Sequence, residues 1–375
     1  MKKVLFVANI AKHIIRFHLP YLKWFKENGY ETHVAACGIE NIPFCDVQHN
    51  IPIVRSPFSF NNIDAHKQLK EIIDANEFEL VHGHTPMGGV LARTASIKAR
   101  RKGTKVLYTA HGFHFYKGSS VKNWLMYFTT EKIISFFTDA IITINKEDFD
   151  VLHKYKFNCK FKYLIPGIGI DIQKLNCSIN FDKNDFRIKN NLNEKDFVLI
   201  YLAEFIERKN HKFIIYATHE LKVLIPDLKI LFAGRGVLQE SIEKLINQEN
   251  LNETIKVLGF RTDIGDLISL SDVGISSSKQ EGLGLNLAEE MFCGLPVVAS
   301  EDRGHKEMVI HGFNGFMFKQ NNTKEFVKYI LYLYNNTEKR IEMGVSACNS
   351  VQKFNLENSI AAMSKIYKSI LSENV

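Results

Sequence analysis

Val273-Gly-Ile-Ser-Ser-Ser-Lys-Gln-Glu-Gly-Leu-Gly-Leu-Asn-Leu-Ala-Glu-Glu-Met-Phe-Cys-Gly-Leu-Pro-Val-Val-Ala-Ser300 is the stretch that decides the fold. Val273 to Ser276 is a short apolar run of strand type. Ser276 to Glu281 is a polar turn, Leu285 to Cys293 carries Leu, Leu, Ala, Met and Phe on one helical face, and Pro296 to Ser300 returns as a second apolar strand. Strand, turn, helix, strand is the unit of a parallel sheet covered by helices. Its turn also has the make-up of an anion site. Gly282 and Gly284 let backbone approach a ligand, and the first N–H groups of the following helix point at whatever negative group lies there. Glu281 and Glu289 flank that cradle, separated by about 12 Å if helical at ~1.5 Å per residue.

The pattern repeats outward in both directions. In the first half, Lys3 to Ala8, Glu31 to Cys37, Leu80-Val81, Lys105 to Thr109, Ala140 to Ile144 and Tyr163 to Ile165 are predicted strands. They alternate with helices over Tyr21 to Asn28, Asp64 to Asn76 and Gly88 to Arg101. In the second half, strands at Phe197 to Leu202, Lys229 to Ala233, Ile255 to Leu258 and Val273 to Ser276 alternate with helices at His211 to Leu224, Leu238 to Gln248 and Asp263 to Leu270. Pro166-Gly-Ile-Gly-Ile-Asp171 interrupts the alternation, and the polar run Lys174 to Lys195 has little core potential, so the interdomain connection is expected there. The prediction is an α/β protein of two doubly wound, Rossmann-like domains facing each other across a cleft. Residues 1–170 form the first and 171–355 the second, and a last helix within 356–375 is free to pack on either domain, including back on the first.

At 375 residues the chain suits two domains, and 45% hydrophobic with 24% charged residues is a globular composition. No apolar window is long enough to span a bilayer. The six cysteines, Cys37, Cys45, Cys159, Cys177, Cys293 and Cys348, lack metal-ligand spacing, which predicts reduced thiols in a cytoplasmic protein and no structural zinc. The net charge of +7 is uneven. Residues 1–200 carry 28 Lys and Arg against 19 Asp and Glu, and the remainder 20 against 22, so +9 is offset by −2. A basic first half suits an anionic membrane surface or a phosphorylated lipid. Nucleic acid is not expected, because no arginine-rich stretch with interleaved aromatics occurs.

Glu281-x7-Glu289, preceded by three serines and followed by Gly294-Leu-Pro-Val-Val-Ala-Ser300, resembles the signature of the family 4 retaining glycosyltransferases, which have the GT-B fold. Further matching pieces are Ile165-Pro-Gly-Ile-Gly-Ile-Asp171, Lys209-Asn-His, Phe232-Ala-Gly-Arg-Gly236, Leu258-Gly-Phe-Arg-Thr-Asp-Ile264 and Arg303-Gly-His-Lys-Glu-Met-Val-Ile-His-Gly-Phe-Asn-Gly315. Phe17-His-Leu-Pro-Tyr, His84-Thr-Pro-Met-Gly-Gly and Tyr108-Thr-Ala-His-Gly-Phe-His-Phe115 are similar to the bacterial capsule and exopolysaccharide members, including those of Bacillus biofilms.

The resemblance implies that Glu281 lies beside the donor sugar and that Glu289 accepts from the ribose hydroxyls. It implies that backbone at Gly282, Leu283, Gly284, Leu285 and Asn286 holds the distal phosphate, and that Lys209, with Arg208, neutralises phosphate charge. Gly234, Arg235 and Gly236, with Gly259, Phe260 and Arg261, are implied around the base. His111 is implied near the reacting sugar, and Phe6 to Lys12 as a loop facing the diphosphate and acceptor. Glu281, His111 and Lys209 are the implied catalytic residues. Two positions depart from the family: Ala203-Glu204 stands where Gly-Arg is usual, and Ala8-Asn9-Ile10 where a Gly-Gly pair is frequent.

The implied activity is transfer of a hexose or N-acetylhexosamine, with retained configuration and without a metal. The donor is a nucleotide sugar of the UDP type, and the acceptor a saccharide on a polyprenyl diphosphate at the inner membrane face. No cofactor is expected. Two alternatives stand beside it: a non-hydrolysing UDP-sugar epimerase, and a catalytically silent nucleotide-sugar-binding partner of a polysaccharide complex. Read locally, His111 is either a hydrogen-bonded core histidine or a ligand contact. His82, His84 and His114 form a metal cluster only if their strand ends converge. Lys117 to Phe137 is either a core helix or an interfacial patch.

Overall fold

Strands buried on both faces need unbroken apolar sequence, and β1 (Lys2–Ile10) is buried from Val4 through Asn9. The computed structural model describes residues 1–175 and 183–372. It divides into unit 1, Met1–Gly169 with Glu357–Val375, and unit 2, Ile170–Leu356.

Unit 1 holds β1, β2 (Tyr30–Cys37), β3 (Val47–Asn50), β4 (Phe78–His84), β5 (Lys105–Ala110), β6 (Ala140–Thr143) and β7 (Phe161–Leu164) in the order β3-β2-β1-β4-β5-β6-β7. Unit 2 holds β8 (Phe197–Leu202), β9 (Leu228–Ala233), β10 (Ile255–Gly259), β11 (Val273–Ser276), β12 (Val297–Ser300) and β13 (Gly315–Phe318) in the order β10-β9-β8-β11-β12-β13. Every pairing in both sheets is parallel. Each sheet reverses direction beside its first strand, the doubly wound arrangement in which ligands bind beyond the strand ends at the reversal.

In unit 2, Phe232 and Ile230 of β9, Tyr201 of β8 and Phe326 and Ile330 of the helix Thr323–Asn335 form one side of the core. Leu267 and Ile268 pack with Val198 and Ile200 on the other. In unit 1, Leu5, Val7, Val81 and Leu91 share a cluster with Leu69 and Ile73 of the helix Asn61–Ala75. The helix Leu356–Ser372 carries Tyr367 back to unit 1. There its hydroxyl lies 2.9 Å from His82 Nδ1, and its ring stacks on Trp24 at 5.6 Å.

Four features differ from the sequence reading. Strands β3 and β13 were not anticipated: β3 alternates half-buried and exposed, and β13 is four residues following a turn, so neither gives a long apolar run. Phe6 to Lys12 is not a loop, because β1 continues to Ile10 and a helix begins at Ala11. The described part of Lys174 to Lys195 is folded into unit 2: Leu192 is buried in the cluster of Val198, Ile200 and Leu267 with Phe186 against it, and a guanidinium ties the segment down. Arg187 donates to Asp272 Oδ2 at 2.8 Å, to the Leu270 carbonyl at 3.0 Å and to the Glu194 carbonyl at 2.7 Å. Residues 176–182, Cys177 among them, lie outside the described residues. Finally, Cys37, Cys45, Cys159 and Cys348 are free thiols, whereas Cys293 is disulfide-bonded, against the expectation that all are reduced.

Lys117 to Phe137 divides between its two readings. Trp124, Tyr127 and Phe128 pack on the cluster of Phe113, Phe115 and Phe157, while Val121, Leu125, Ile133 and Phe136 are exposed.

His211 sits in an aromatic box, 4.5 Å from the Phe205 ring, 4.9 Å from Tyr201 and 5.1 Å from Phe232, with its Nε2 buried and without a partner. Burial, reinforced by Lys209, lowers its pKa from 6.5 to about 3. The unfolded chain therefore takes up this proton first as pH falls. The contribution to stability is complete above pH 6.5 and is lost toward pH 3, at roughly 1.4 kcal/mol per pH unit. His211→Phe is expected to flatten that part of the acid slope in calorimetric melts between pH 7 and pH 4. An unchanged slope would contradict it.

Candidate active site

The sheet reversal in unit 2 lies between β8 and β11, and two loops leave it. The first runs from Ala203 to the turn Glu207–Lys209, and the second from Ser277 to Glu281. They are stitched together by Tyr201, whose hydroxyl donates to the Lys209 carbonyl at 2.6 Å. Ser277 Oγ donates to the carbonyls of Lys209 and Asn210 at 3.2 and 3.0 Å, and the Lys279 amide donates to Arg208 O at 2.8 Å.

This stitching brings Lys209 against Glu281. The Lys209 ammonium is ion-paired with Glu281 Oε1, and both residues are buried. Ser278 Oγ donates to the same oxygen at 2.6 Å, and Arg208 Nη1 reaches Oε2 at 3.2 Å. Burial alone would raise the Glu281 carboxyl, but Lys209, Arg208 and His305 overcome it and hold the pKa at about 2. Asp302 supports the turn from below, its Oδ1 accepting from the amides of Glu281 at 3.0 Å and Gly304 at 2.8 Å.

Gly284 opens the helix Leu285–Phe292 with a left-handed φ of 89°, and a Cβ there would lie 3.0 Å from His305 Cδ2. A glycine is needed at this position on both counts. Gly282, Leu283, Leu285 and Asn286 complete the turn, and the first N–H groups of a helix have no intrahelical partner. Asn286 Nδ2 is a buried donor without a partner among the described residues. Spare donors beside two cations give this end of unit 2 the chemistry to hold an anion.

Gly234, Arg235, Gly259, Phe260 and Arg261, expected around a base from the sequence, form a second group. Gly234 packs so tightly that a Cβ would fall 1.9 Å from the Ala203 carbonyl oxygen. Arg235 lies over the Phe260 ring at 4.7 Å, just after Gly259, while Arg261 is tied to Asp263 with Nε to Oδ1 at 2.7 Å. Phe260 is 62% exposed, so the Arg235–Phe260 pair presents a flat open face able to stack on a planar ring. Glu289 is half-buried on the helix face, and Glu204, at the position of the family's arginine, is exposed.

Sequence reasoning missed several neighbours. Glu290 is fully buried, and burial and the adjacent Glu289 raise its carboxyl well above the ordinary range. Adjacent glutamates in sequence give no sign of which is inside. His305 falls in the matching piece Arg303 to Gly315 and Asp302 just before it, and their roles depend on tertiary contacts.

His111 belongs to unit 1, where it joins four other histidines. His13 Nε2 lies 3.3 Å from His18 Nε2, and the His18 ring stacks on His84 at 3.8 Å. His84 is 4.1 Å from His82, and His111 is 5.1 Å from His13. The ends of β4 and β5 thus do converge. Burial lowers His13 to about 4, and lowers His18, His84 and His111 well below the ordinary value, so all four rings are neutral at pH 7. His114 packs on Tyr127 instead, at 4.7 Å. Asn9, in the segment that departs from the family, accepts from the Gly88 amide at 2.8 Å and from Thr85 Oγ at 2.6 Å, fixing the turn after β4.

The family model "Glycosyl transferases group 1" matches residues 182–349, and "Glycosyl transferase 4-like" matches residues 3–145. A Bacillus subtilis protein bearing the name "Putative glycosyltransferase EpsD" is 41% identical over 370 residues, covering 99% of this chain and 97% of its own length. The chain belongs to the group 1, family 4-like glycosyltransferases. Within that family, an Escherichia coli UDP-Gal:alpha-D-GlcNAc-diphosphoundecaprenol alpha-1,3-galactosyltransferase is 27% identical, covering 83% of this chain and 82% of its own. Anabaena HepE, solved with UDP and glucose, superposes with a TM-score of 0.79 at 20% identity, over 98% of this chain and 100% of its own. Sucrose-phosphate synthase of Thermosynechococcus elongatus gives 0.81 at 18% identity, over 100% of both chains. The fold is GT-B, with two Rossmann-like domains.

Proposed function

We infer that this glycosyltransferase moves a hexose or N-acetylhexosamine from a UDP-sugar to a saccharide on a polyprenyl diphosphate, with retention and without a metal, in exopolysaccharide synthesis. The observation that carries the reading is the Lys209–Glu281–Arg208 cluster at the mouth of the glycine turn. Breaking the bond from sugar to diphosphate develops negative charge on the leaving phosphate. Fixed donors there, the Lys209 ammonium and the first amides of the helix Leu285–Phe292, stabilise the transition state more than the ground state. In this reading Arg208 takes the role of the arginine replaced by Glu204, and Glu281 receives the donor sugar's hydroxyls. Glu289 accepts from the ribose, and Gly234, Arg235, Gly259, Phe260 and Arg261 border the base. His111 contacts the reacting sugar. An oxygen of the leaving phosphate takes the acceptor's proton on the same face.

The relatives support the substrate classes: one is named for transfer from UDP-Gal to a diphosphoundecaprenol-linked GlcNAc, and a structural neighbour was solved with UDP. No helix among the described residues is long and apolar enough to cross a membrane. The basic first half and the exposed Leu125, Ile133 and Phe136 favour a cytoplasmic protein that touches the inner membrane face.

The test is UDP release from a panel of UDP-sugars with and without lipid-linked acceptors. Acceptor-dependent release is expected. It should be abolished in Glu281→Ala with UDP binding kept, whereas Glu289→Ala weakens UDP binding. Sugar inversion without acceptor would indicate an epimerase, and UDP binding without any turnover a silent partner.

A further inference from the structure

We propose that His13, His18 and His111 form a binding site for a divalent transition metal of the zinc class. The ligand nitrogens of the three rings all lie within 4.8 Å of one another. The Nε2 atoms of His13 and His18, at 3.3 Å, are already at the spacing of two nitrogens each about 2.0–2.1 Å from one tetrahedral zinc ion. A single shared proton between His13 and His18 satisfies only that pair, and it leaves His111 Nε2 buried without a partner. A cation at the centre of the three serves all of them. His13 and His18 sit on the helix Ala11–Phe17 and its last residue cap, where the His18 amide donates to Ile14 O at 2.8 Å, and His111 directly follows β5. His18 is further held by its stack on His84. Backbone and packing therefore fix two ligands before any ion arrives.

The donor set selects the metal. Three imidazoles with no carboxylate or thiolate suit zinc, cobalt, nickel or copper and reject magnesium and calcium, which require oxygen. Three ligands leave a fourth position for water or an anion. His18 Nδ1 is buried without a partner, so the carboxylate or carbonyl that ordinarily orients a ligating histidine is missing. Affinity should accordingly fall about 10- to 100-fold below that of a fully supported site. The ion is not a participant in the metal-independent transfer proposed above. It competes with that chemistry for the His111 ring, and its binding is measured without turnover.

The experiment is a Co2+ titration of the chelator-treated full chain carrying Cys37→Ser, which removes the exposed thiol. Expected are the visible absorption bands of four-coordinate cobalt, saturating at one ion per chain and erased by Zn2+. His13→Ala and His111→Ala should lack them, while His114→Ala retains them, all with unchanged far-UV circular dichroism. Absence of the bands in the parent protein, or their persistence in His13→Ala, overturns the site.

Discussion

Lys209→Met is expected to reduce acceptor-dependent UDP release by about a hundred- to a thousandfold, the usual cost of removing one preorganised donor from a developing anion. It should also lower the stability of unit 2. The two effects share one cause. The ammonium is buried against Glu281, and once it is gone Ser278 Oγ at 2.6 Å, Arg208 at 3.2 Å and the more remote His305 are left to compensate the carboxylate. Breaking a buried pair from one side typically costs about 3–5 kcal/mol, because the other charge stays desolvated. The Glu281 carboxyl, held at about 2 chiefly against burial by Lys209, should then titrate higher. Arg208→Met separates the contributions. Its side chain is 44% exposed, so it should leave the melting temperature nearly unchanged while still slowing turnover. Loss of turnover in Lys209→Met no larger than in Arg208→Met would remove the lysine from its central place.

The second large effect is structural. Arg93 is fully buried and makes a bidentate pair with Glu131 at 2.7 and 3.0 Å, donates to the Gly89 carbonyl at 2.8 Å and lies 3.9 Å over the Tyr108 ring. Arg93→Met leaves Glu131 as a lone buried carboxylate, and unit 1 should lose about 3–5 kcal/mol. That is a large share of a domain's usual ~5–15 kcal/mol. Replacing both partners, Arg93→Met with Glu131→Leu, should restore most of it, since an apolar pair needs no charge compensation. Both tryptophans, Trp24 and Trp124, belong to unit 1, so tryptophan fluorescence during urea unfolding reports this unit alone. A double variant no more stable than the single one would place the loss in packing over Tyr108 rather than in the orphaned charge.

Where a strand is buried on both faces, the sequence alone located it: Phe197 to Leu202 and Val4 to Val7 are continuous apolar runs and admit little else. Strand β13 and the segment around Arg187 were hidden for the opposite reason. Their order depends on partners distant in the chain, Val297 across the sheet and Asp272 beneath the guanidinium. The site divides similarly. Glu281 could be singled out from the glycine turn and its spacing to Glu289, and Lys209 from the resemblance of Lys209-Asn-His to the family's pattern, placed after a strand of the second domain. The histidine cluster could not, because His13 and His18 come from a helix whose docking no local pattern encodes. Glu290 was invisible beside Glu289, since one residue of helical rotation decides which carboxylate meets water.

Tyr367 sets an order on the birth of the molecule. Its hydroxyl closes on His82, and its ring covers Trp24 and Phe25, yet it is translated only after all of unit 2. At ~5–20 residues per second, the ribosome leaves the first seven strands waiting roughly tens of seconds for their last helix. During that interval the aromatic surface around Trp24 is bare, and the nascent chain is open to chaperones or to premature association. Unit 2, contiguous in sequence, has no such delay and is free to mature first.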